Sequence, residues 1–168
     1  MAKFELQRVK KFNRRTYHNV SDFVVEFRTI MAKRNQMTPL MRGELIDAAF
    51  RERLMMAVTA VNGCRYCSYA HTKQALMEGI DRDEIEALQG GVFESCPRDE
   101  LPALLYAQYW AETQGRTEPA ARERIVEKYD EETMKAIELT LQTIQMGNLL
   151  GNTVDYVLYR LSFGRLGM

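Results

Sequence analysis

The sequence predicts an all-α fold, a bundle of about six to eight helices that forms one domain over residues 1–168. Apolar residues recur at spacings of three and four along most of the chain, which is the period of a helix with one buried face. Signals for helix starts and stops separate these stretches at short intervals. Apolar and polar residues do not alternate as in strands, and there is no internal repeat or low-complexity segment.

The helices are expected to follow one another with short connections. Ser21 is expected to cap a helix that runs to about Lys33. Thr38-Pro39 is expected to cap and open the helix that carries Glu52 and ends at Asn62-Gly63. The later helices are expected from Cys64 to Gly79, Asp81 to Leu88, Arg98 to Thr113, Thr117 to Tyr129, and Asp130 almost to Phe163. Residues 1–20 are basic and are expected to form a solvated arm that packs on a neighbour.

Composition excludes several classes of protein. Lys plus Arg and Asp plus Glu both number 23, so the net charge is zero, which argues against nucleic acid or an anionic membrane as partner. There is no signal peptide and no apolar run long enough to span a membrane, so a cytoplasmic protein is expected. Three cysteines, an odd number, do not suggest a secreted disulfide framework, and a C-x-x-C pair in the cytoplasm points to catalysis.

Two cysteines, a histidine and a glutamate are expected to meet on the central helical hairpin. Cys64, Cys67 and His71 stand at positions i, i+3 and i+7 and therefore share one helix face. Glu52 lies ten residues before the Asn62-Gly63 break and His71 eight residues after it. If the two helices fold back on each other, Glu52 comes level with His71 and Cys67.

This set suits reversible thiol chemistry. A helix N-terminus and a second thiol one turn away both lower the pKa of a cysteine. His71 can transfer a proton, and Glu52 can orient its ring. One cysteine would attack an oxidant, and the other would close a disulfide. Position alone favours Cys64 as nucleophile, because the first cysteine lies nearer the helix tip and is usually more exposed.

Non-catalytic interpretations remain open at this point. The two cysteines could be buried packing residues, His71 a core histidine, and Glu52 a solvated charge between two arginines. Three of the four residues could bind zinc, but structural zinc needs a fourth ligand that the spacing does not supply, so no metal or other cofactor is expected. The third cysteine, Cys96, has no motif partner and is expected to be a bystander.

The spacing E-x11-C-x-x-C-x3-H, together with the segments NGCRYCSYAHT, ALMEGI and DRDEIEAL, resembles the AhpD-like alkylhydroperoxidases of the carboxymuconolactone decarboxylase-like superfamily. The resemblance covers roughly residues 25–110. It implies an all-helical enzyme in which Cys67 attacks the peroxide, Cys64 donates a proton and resolves, and His71 with Glu52 forms the proton relay. Tyr66 stands where a well-known branch of the family has histidine, so it becomes a candidate for the relay.

The resemblance also implies a hydroperoxide substrate, a dithiol or a lipoyl- or thioredoxin-like protein as reductant, and assembly into homotrimers or homohexamers. Broad apolar faces containing ten methionines likewise favour self-association. The expected function is therefore a thiol-dependent alkyl hydroperoxide reductase with antioxidant activity. The alternatives are a carboxymuconolactone-type decarboxylase and a non-redox scaffold with the same fold.

Overall fold

A computed structural model describes residues 11–167, and within that range the chain forms eight helices and no strand. The all-α prediction is confirmed. The helices are α1 (Val20–Ala32), α2 (Arg34–Met41), α3 (Ala48–Asn62), α4 (Arg65–Met77), α5 (Arg82–Gln89), α6 (Leu101–Glu112), α7 (Pro119–Tyr129) and α8 (Glu131–Leu161). None of these helices combines the length and the apolar character that crossing a membrane requires.

Helix α3 is the centre of the bundle. It packs against α4, α5, α6 and α8, and eleven of its fifteen residues are buried. The long helix α8 crosses behind it and also contacts α1, α4, α6 and α7. With helices on several sides, α3 buries charged as well as apolar side chains, and each buried charge therefore needs a partner inside the protein.

A buried arginine supplies one such set of partners. Arg53 on α3 donates to Glu84 of α5 at 2.5 Å and to Glu100, the residue before α6, at 3.1 Å. All three side chains are largely removed from solvent, at 11–14% exposure. The three charges tie together the helices that surround α3.

The start of the α3 helix differs from the expectation. Pro39 lies inside α2 and does not open the helix of Glu52, so that prediction is wrong. Asp47 caps α3 instead, because its carboxylate accepts from the backbone N–H groups of Ala49 and Phe50 at 2.9 and 3.2 Å. A turn through Gly43, whose φ is +75°, separates the two helices.

The N-terminal region also needs correction. Asn19, not Ser21, caps α1 by accepting from Asp22 N at 2.9 Å. Within residues 11–19, Arg14 donates to Asp155 on α8 at 2.7 Å, and Arg15 donates to main-chain carbonyls at the end of α6. This part of the basic segment packs on its own chain and is not a solvated arm, while residues 1–10 lie outside the described range.

Candidate active site

The two cysteines lie at the turn between α3 and α4. Gly63 ends α3 in the left-handed conformation, with φ +69°, and Cys64 becomes the N-cap of α4. The Cys64 sulfur accepts from Cys67 N at 3.3 Å and lies 2.7 Å from the Cys67 sulfur. The cysteines are reduced, but the pair can close a disulfide, whose bond is about 2.05 Å long, with little displacement of the sulfurs.

The two thiols hold their protons with very different strength. The hydrogen bond from Cys67 lowers the pKa of Cys64 to about 6, outweighing burial, and backbone N–H groups at the helix start add to the effect. The pKa of Cys67 is raised by its hydrogen bond to Cys64, by burial and by the neighbouring charge. Near neutral pH the pair therefore shares one proton and carries one negative charge, which the N–H groups at the helix start favour on Cys64.

Of the two cysteines, the one with the lower pKa is the more deeply buried. Cys64 is only 1% exposed, while Cys67 is partly exposed, so the expectation that the first cysteine is the more accessible one is wrong. The cause lies on α8, where Gly151 comes so close that a Cβ at this position would be 2.9 Å from the Cys64 sulfur. The cysteine with the lowered pKa is thus buried, and the cysteine with the raised pKa is partly exposed.

Glu52 and His71 meet across the hairpin, which confirms the predicted proximity of the two side chains. Glu52 Oε2 lies 2.7 Å from His71 Nδ1, and Glu52 Oε1 accepts from Arg51 at 3.1 Å. Glu52 is 1% exposed, so the interpretation as a solvated charge is wrong. The carboxylate holds the proton on Nδ1 and leaves Nε2 as the ring nitrogen that can exchange a proton. At 21% side-chain exposure, His71 is not a core histidine.

The hydroxyl of Tyr66 points to α8. It donates to Asp155 Oδ1 at 2.7 Å, and the same carboxylate accepts from Arg65 at 2.6 Å and from Arg14 at 2.7 Å. Burial alone would raise the pKa of Asp155, but these three hydrogen bonds outweigh it and the pKa is lowered. Tyr66 is therefore anchored to a buried carboxylate at the side of the site.

A pocket of about 220 Å³ opens beside the turn. Its lining combines apolar, hydroxyl and charged side chains from α3, α4 and the end of α5: Met56, Thr59, Ala60, Gly63, Cys64, Arg65, Ser68 and Gln89. The pocket has the size of a small organic molecule and touches the cysteine turn through Cys64 and Gly63.

The third cysteine lies apart from this pair. Cys96 is 7% exposed and belongs to the hydrophobic core. Burial, followed by the charge of Glu84, raises its pKa to about 12, so it stays protonated and unreactive at neutral pH. In the range 11–167 no group of three or more His, Cys, Asp or Glu side chains is arranged to hold a metal ion.

Sequence reasoning missed three contributors to the site. Arg51 neutralises Glu52, Gly151 makes room for the Cys64 sulfur, and Asp155 binds Tyr66. A glycine inside the long C-terminal apolar pattern was a signal for a close helix approach. Nothing in the sequence indicated that Asp155, an acidic residue in a helix about ninety positions further along, would reach this turn.

Two comparisons with known proteins match part of the chain. Residues 27–98 match the carboxymuconolactone decarboxylase family. A stretch of 47 residues is 43% identical to the alkyl hydroperoxide reductase AhpD of Rhodococcus erythropolis. That stretch is 27% of this chain and spans about a quarter, 26%, of the length of the relative. No solved structure matches the chain at a significant level.

Proposed function

We propose that this chain, whose residues 27–98 match the carboxymuconolactone decarboxylase family, is a thiol-dependent hydroperoxide reductase that cycles a Cys64–Cys67 disulfide. The observation that carries the proposal is the pair of sulfurs 2.7 Å apart at the start of α4, one of them with a pKa of about 6. Titratable groups with strongly perturbed pKa values are concentrated at functional sites, and this pair is such a case.

The first step uses the shared proton of the pair. The proton of Cys67 passes to Cys64, and the resulting Cys67 thiolate attacks the outer oxygen of the hydroperoxide. The O–O bond breaks, Cys67 becomes a sulfenic acid, and Cys64 returns its proton to the departing alkoxide, which leaves as an alcohol. Cys67 takes the nucleophilic role because this residue is partly exposed whereas Cys64 is buried.

The second step closes the disulfide. Cys64 is again a thiolate and attacks the sulfenic sulfur of Cys67, and the displaced hydroxide leaves as water. His71 supplies that proton through Nε2, because Nδ1 is engaged with Glu52. The carboxylate of Glu52, 2.7 Å from Nδ1, orients the ring for this transfer.

A dithiol then restores the enzyme. One thiolate of the reductant attacks the disulfide, its second thiol releases the mixed disulfide, and the reductant leaves oxidised. A lipoyl- or thioredoxin-like protein suits this step because α4 exposes two tyrosines within two residues of Cys67, Tyr66 and Tyr69, and exposed aromatic side chains are common at protein–protein contacts.

Assembly into a homotrimer or homohexamer is part of the proposal. The second half of α8 and the residues after it expose large apolar side chains: Leu150, Val154, Val157, Leu161, Phe163 and Leu166. An apolar face of this kind usually meets a partner, and a second copy is always available. Sedimentation at micromolar concentration should show an oligomer, and a monomer would contradict this part.

The test is consumption of cumene hydroperoxide with dihydrolipoamide as electron donor. The wild type should turn over, whereas Cys67→Ser and Cys64→Ser should lose turnover by at least about a hundredfold, since each lacks half of the disulfide. Cys96→Ala is the matched control and should retain activity. Mass spectrometry after one equivalent of peroxide should find the sulfenic acid on Cys67 in Cys64→Ser.

Equal peroxide consumption by the wild type and both serine variants would overturn the proposal. A lactone decarboxylase or a scaffold would then remain, and neither would respond to loss of the sulfurs. A sulfenic acid found only on Cys64, in Cys67→Ser, would keep the reductase and reverse the two cysteine roles.

A further inference from the structure

One face of α8 carries four buried polar residues although it lies in the interior of the protein. Gln145, Asn148, Asn152 and Asp155 follow the spacing i, i+3, i+7 and i+10 and therefore share this side of the helix. None is more than 4% exposed. We call these four residues the polar face of α8.

The polar face contacts the end of α3 residue by residue. Asn148 Oδ1 accepts from the hydroxyl of Thr59 at 3.2 Å, and Gln145 Oε1 accepts from the side chain of Asn62 at 2.7 Å. Asn152 Nδ2 donates to the main-chain carbonyl of Asn62 at 2.8 Å. Asn62 is the last residue of α3, so both its side chain and its backbone are held two residues before Cys64.

The same helix continues past the cysteine. Gly151, between the polar residues, leaves room for the Cys64 sulfur, since an added Cβ would lie 2.9 Å from it. Asp155 then accepts from the hydroxyl of Tyr66 and from Arg65. The turn from Asn62 to Tyr66 is thereby held before, at and after Cys64 by one helix.

This arrangement is not the most stabilising one for the interior. Among residues 11–167, Asn62 Oδ1, Asn148 Nδ2 and Asn152 Oδ1 are buried without a hydrogen-bond partner. Each unpaired amide atom lowers the free energy of unfolding relative to an apolar side chain of similar shape. Polar groups kept in the interior at a cost in stability are typical of functional positions.

We propose that the polar face of α8 positions the cysteine turn, holding the N–H groups at the start of α4 aimed at the Cys64 sulfur and so keeping Cys64 ready to react. Asn152 is the central positioning residue, because its bond to the Asn62 carbonyl fixes the backbone that leads into the cap. The proposal rests on the thiol chemistry proposed above, but its test needs no peroxidase activity.

The experiment titrates the thiolate absorbance of the fully reduced protein near 240 nm from pH 5 to 9. The wild type should show one thiolate per chain with a midpoint near 6. Asn152→Leu keeps the approximate shape of the side chain and removes the donor to the Asn62 carbonyl. The N–H groups at the start of α4 should then point less directly at the Cys64 sulfur, and the thiolate midpoint should rise. A rise of one unit would reduce the thiolate at pH 6 about fivefold.

Thr140→Val is the matched control. Thr140 is also a fully buried polar residue of α8, but its hydroxyl donates to Ala136 O within the same helix and does not contact the turn. Thr140→Val should leave the thiolate midpoint unchanged, whatever it does to thermal stability. An unchanged midpoint in Asn152→Leu, or an equal rise in Thr140→Val, would overturn the proposal.

Gly151→Ala gives a second, smaller perturbation if Asn152→Leu fails to fold. The new methyl group would meet the Cys64 sulfur at 2.9 Å, so the sulfur or the helix must move. The thiolate midpoint should rise and the equilibrium between the Cys64–Cys67 disulfide and a glutathione buffer should change. A Gly151→Ala protein that titrates and equilibrates like the wild type would refute the positioning role.

Discussion

Lowering the pH through 6 removes a buried charge from Cys64, and the stability of the reduced protein should fall with it. The pKa of Cys64 is depressed in the folded state to about 6, whereas a cysteine in the unfolded chain has a pKa of about 8.5. A group with a depressed pKa stabilises the fold fully above the unfolded value, and this contribution is lost as the pH falls through the folded value.

The size of the effect follows from the two pKa values. One pKa unit corresponds to 1.36 kcal/mol, so about 2.5 units give a contribution of about 3 kcal/mol at pH 8.5. Because Cys64 is 1% exposed, solvent screening takes little from this figure. The raised pKa of Cys67 makes the opposite contribution to stability, because above pH 8.5 this thiol ionises in the unfolded chain but not in the folded protein. The stability from the pair should therefore peak near pH 8.5.

The assay is urea unfolding of the reduced protein from pH 5.5 to 9.5, for the wild type and for Cys64→Ser. The free energy of unfolding of the wild type minus that of the variant should rise between pH 6 and 8 and fall above pH 9. Cys96→Ala, which leaves the pair intact, should show the same rise between pH 6 and 8 as the wild type, because Cys96 is protonated in the folded and the unfolded chain over most of this range. A difference that stays flat from pH 6 to 8 would refute the assignment of the thiolate to Cys64.

Three further variants test separate parts of the structure. Glu52→Gln removes one half of a buried ion pair, and urea unfolding should show a free energy of unfolding lower by about 3 kcal/mol. Glu131→Gln, at an exposed ion pair, is the control and should change this free energy by less than about 1 kcal/mol. His71→Gln should slow peroxide turnover by about a hundredfold while chemical oxidants still close the disulfide; unchanged turnover would exclude the proton role. Gly63→Ala, at φ +69°, should lower the melting temperature through a loss of about 1–2 kcal/mol, and Gly147→Ala, at an open helical position, should raise it; the reverse order would contradict the backbone argument.

Much of the fold was predictable because its signals are local. Gly63, Asp81 and Asp130 end or start helices through their own backbone conformation or side-chain caps, and those signals can be recognised without any tertiary contact. The start of α3 was missed because Thr38-Pro39 carries a stronger helix-start pattern than Asp47. Pro39 instead lies inside α2, five residues after the helix start, and its neighbour Leu40 is fully buried.

The placing of Cys64, Cys67 and His71 on one helix face, and of Glu52 opposite them, was determined by the sequence itself. Counting residues from a sharp helix break is enough, because the rise per residue is the same in both arms of the hairpin. The sequence indicated which cysteine has the lower pKa, because a helix start lowers the pKa of Cys64. It did not determine the nucleophile, because that role also depends on which cysteine a peroxide can reach.

Only the tertiary structure decided which sulfur is covered and what holds the turn. Gly151 and Asp155 reach Cys64 and Tyr66 from α8, more than eighty residues away along the chain. Whether two such helices meet depends on how the whole bundle packs, and no spacing within either helix contains that information. The reactive residues could therefore be identified from the sequence, while their protonation and exposure depend on a helix crossing that only the folded chain creates.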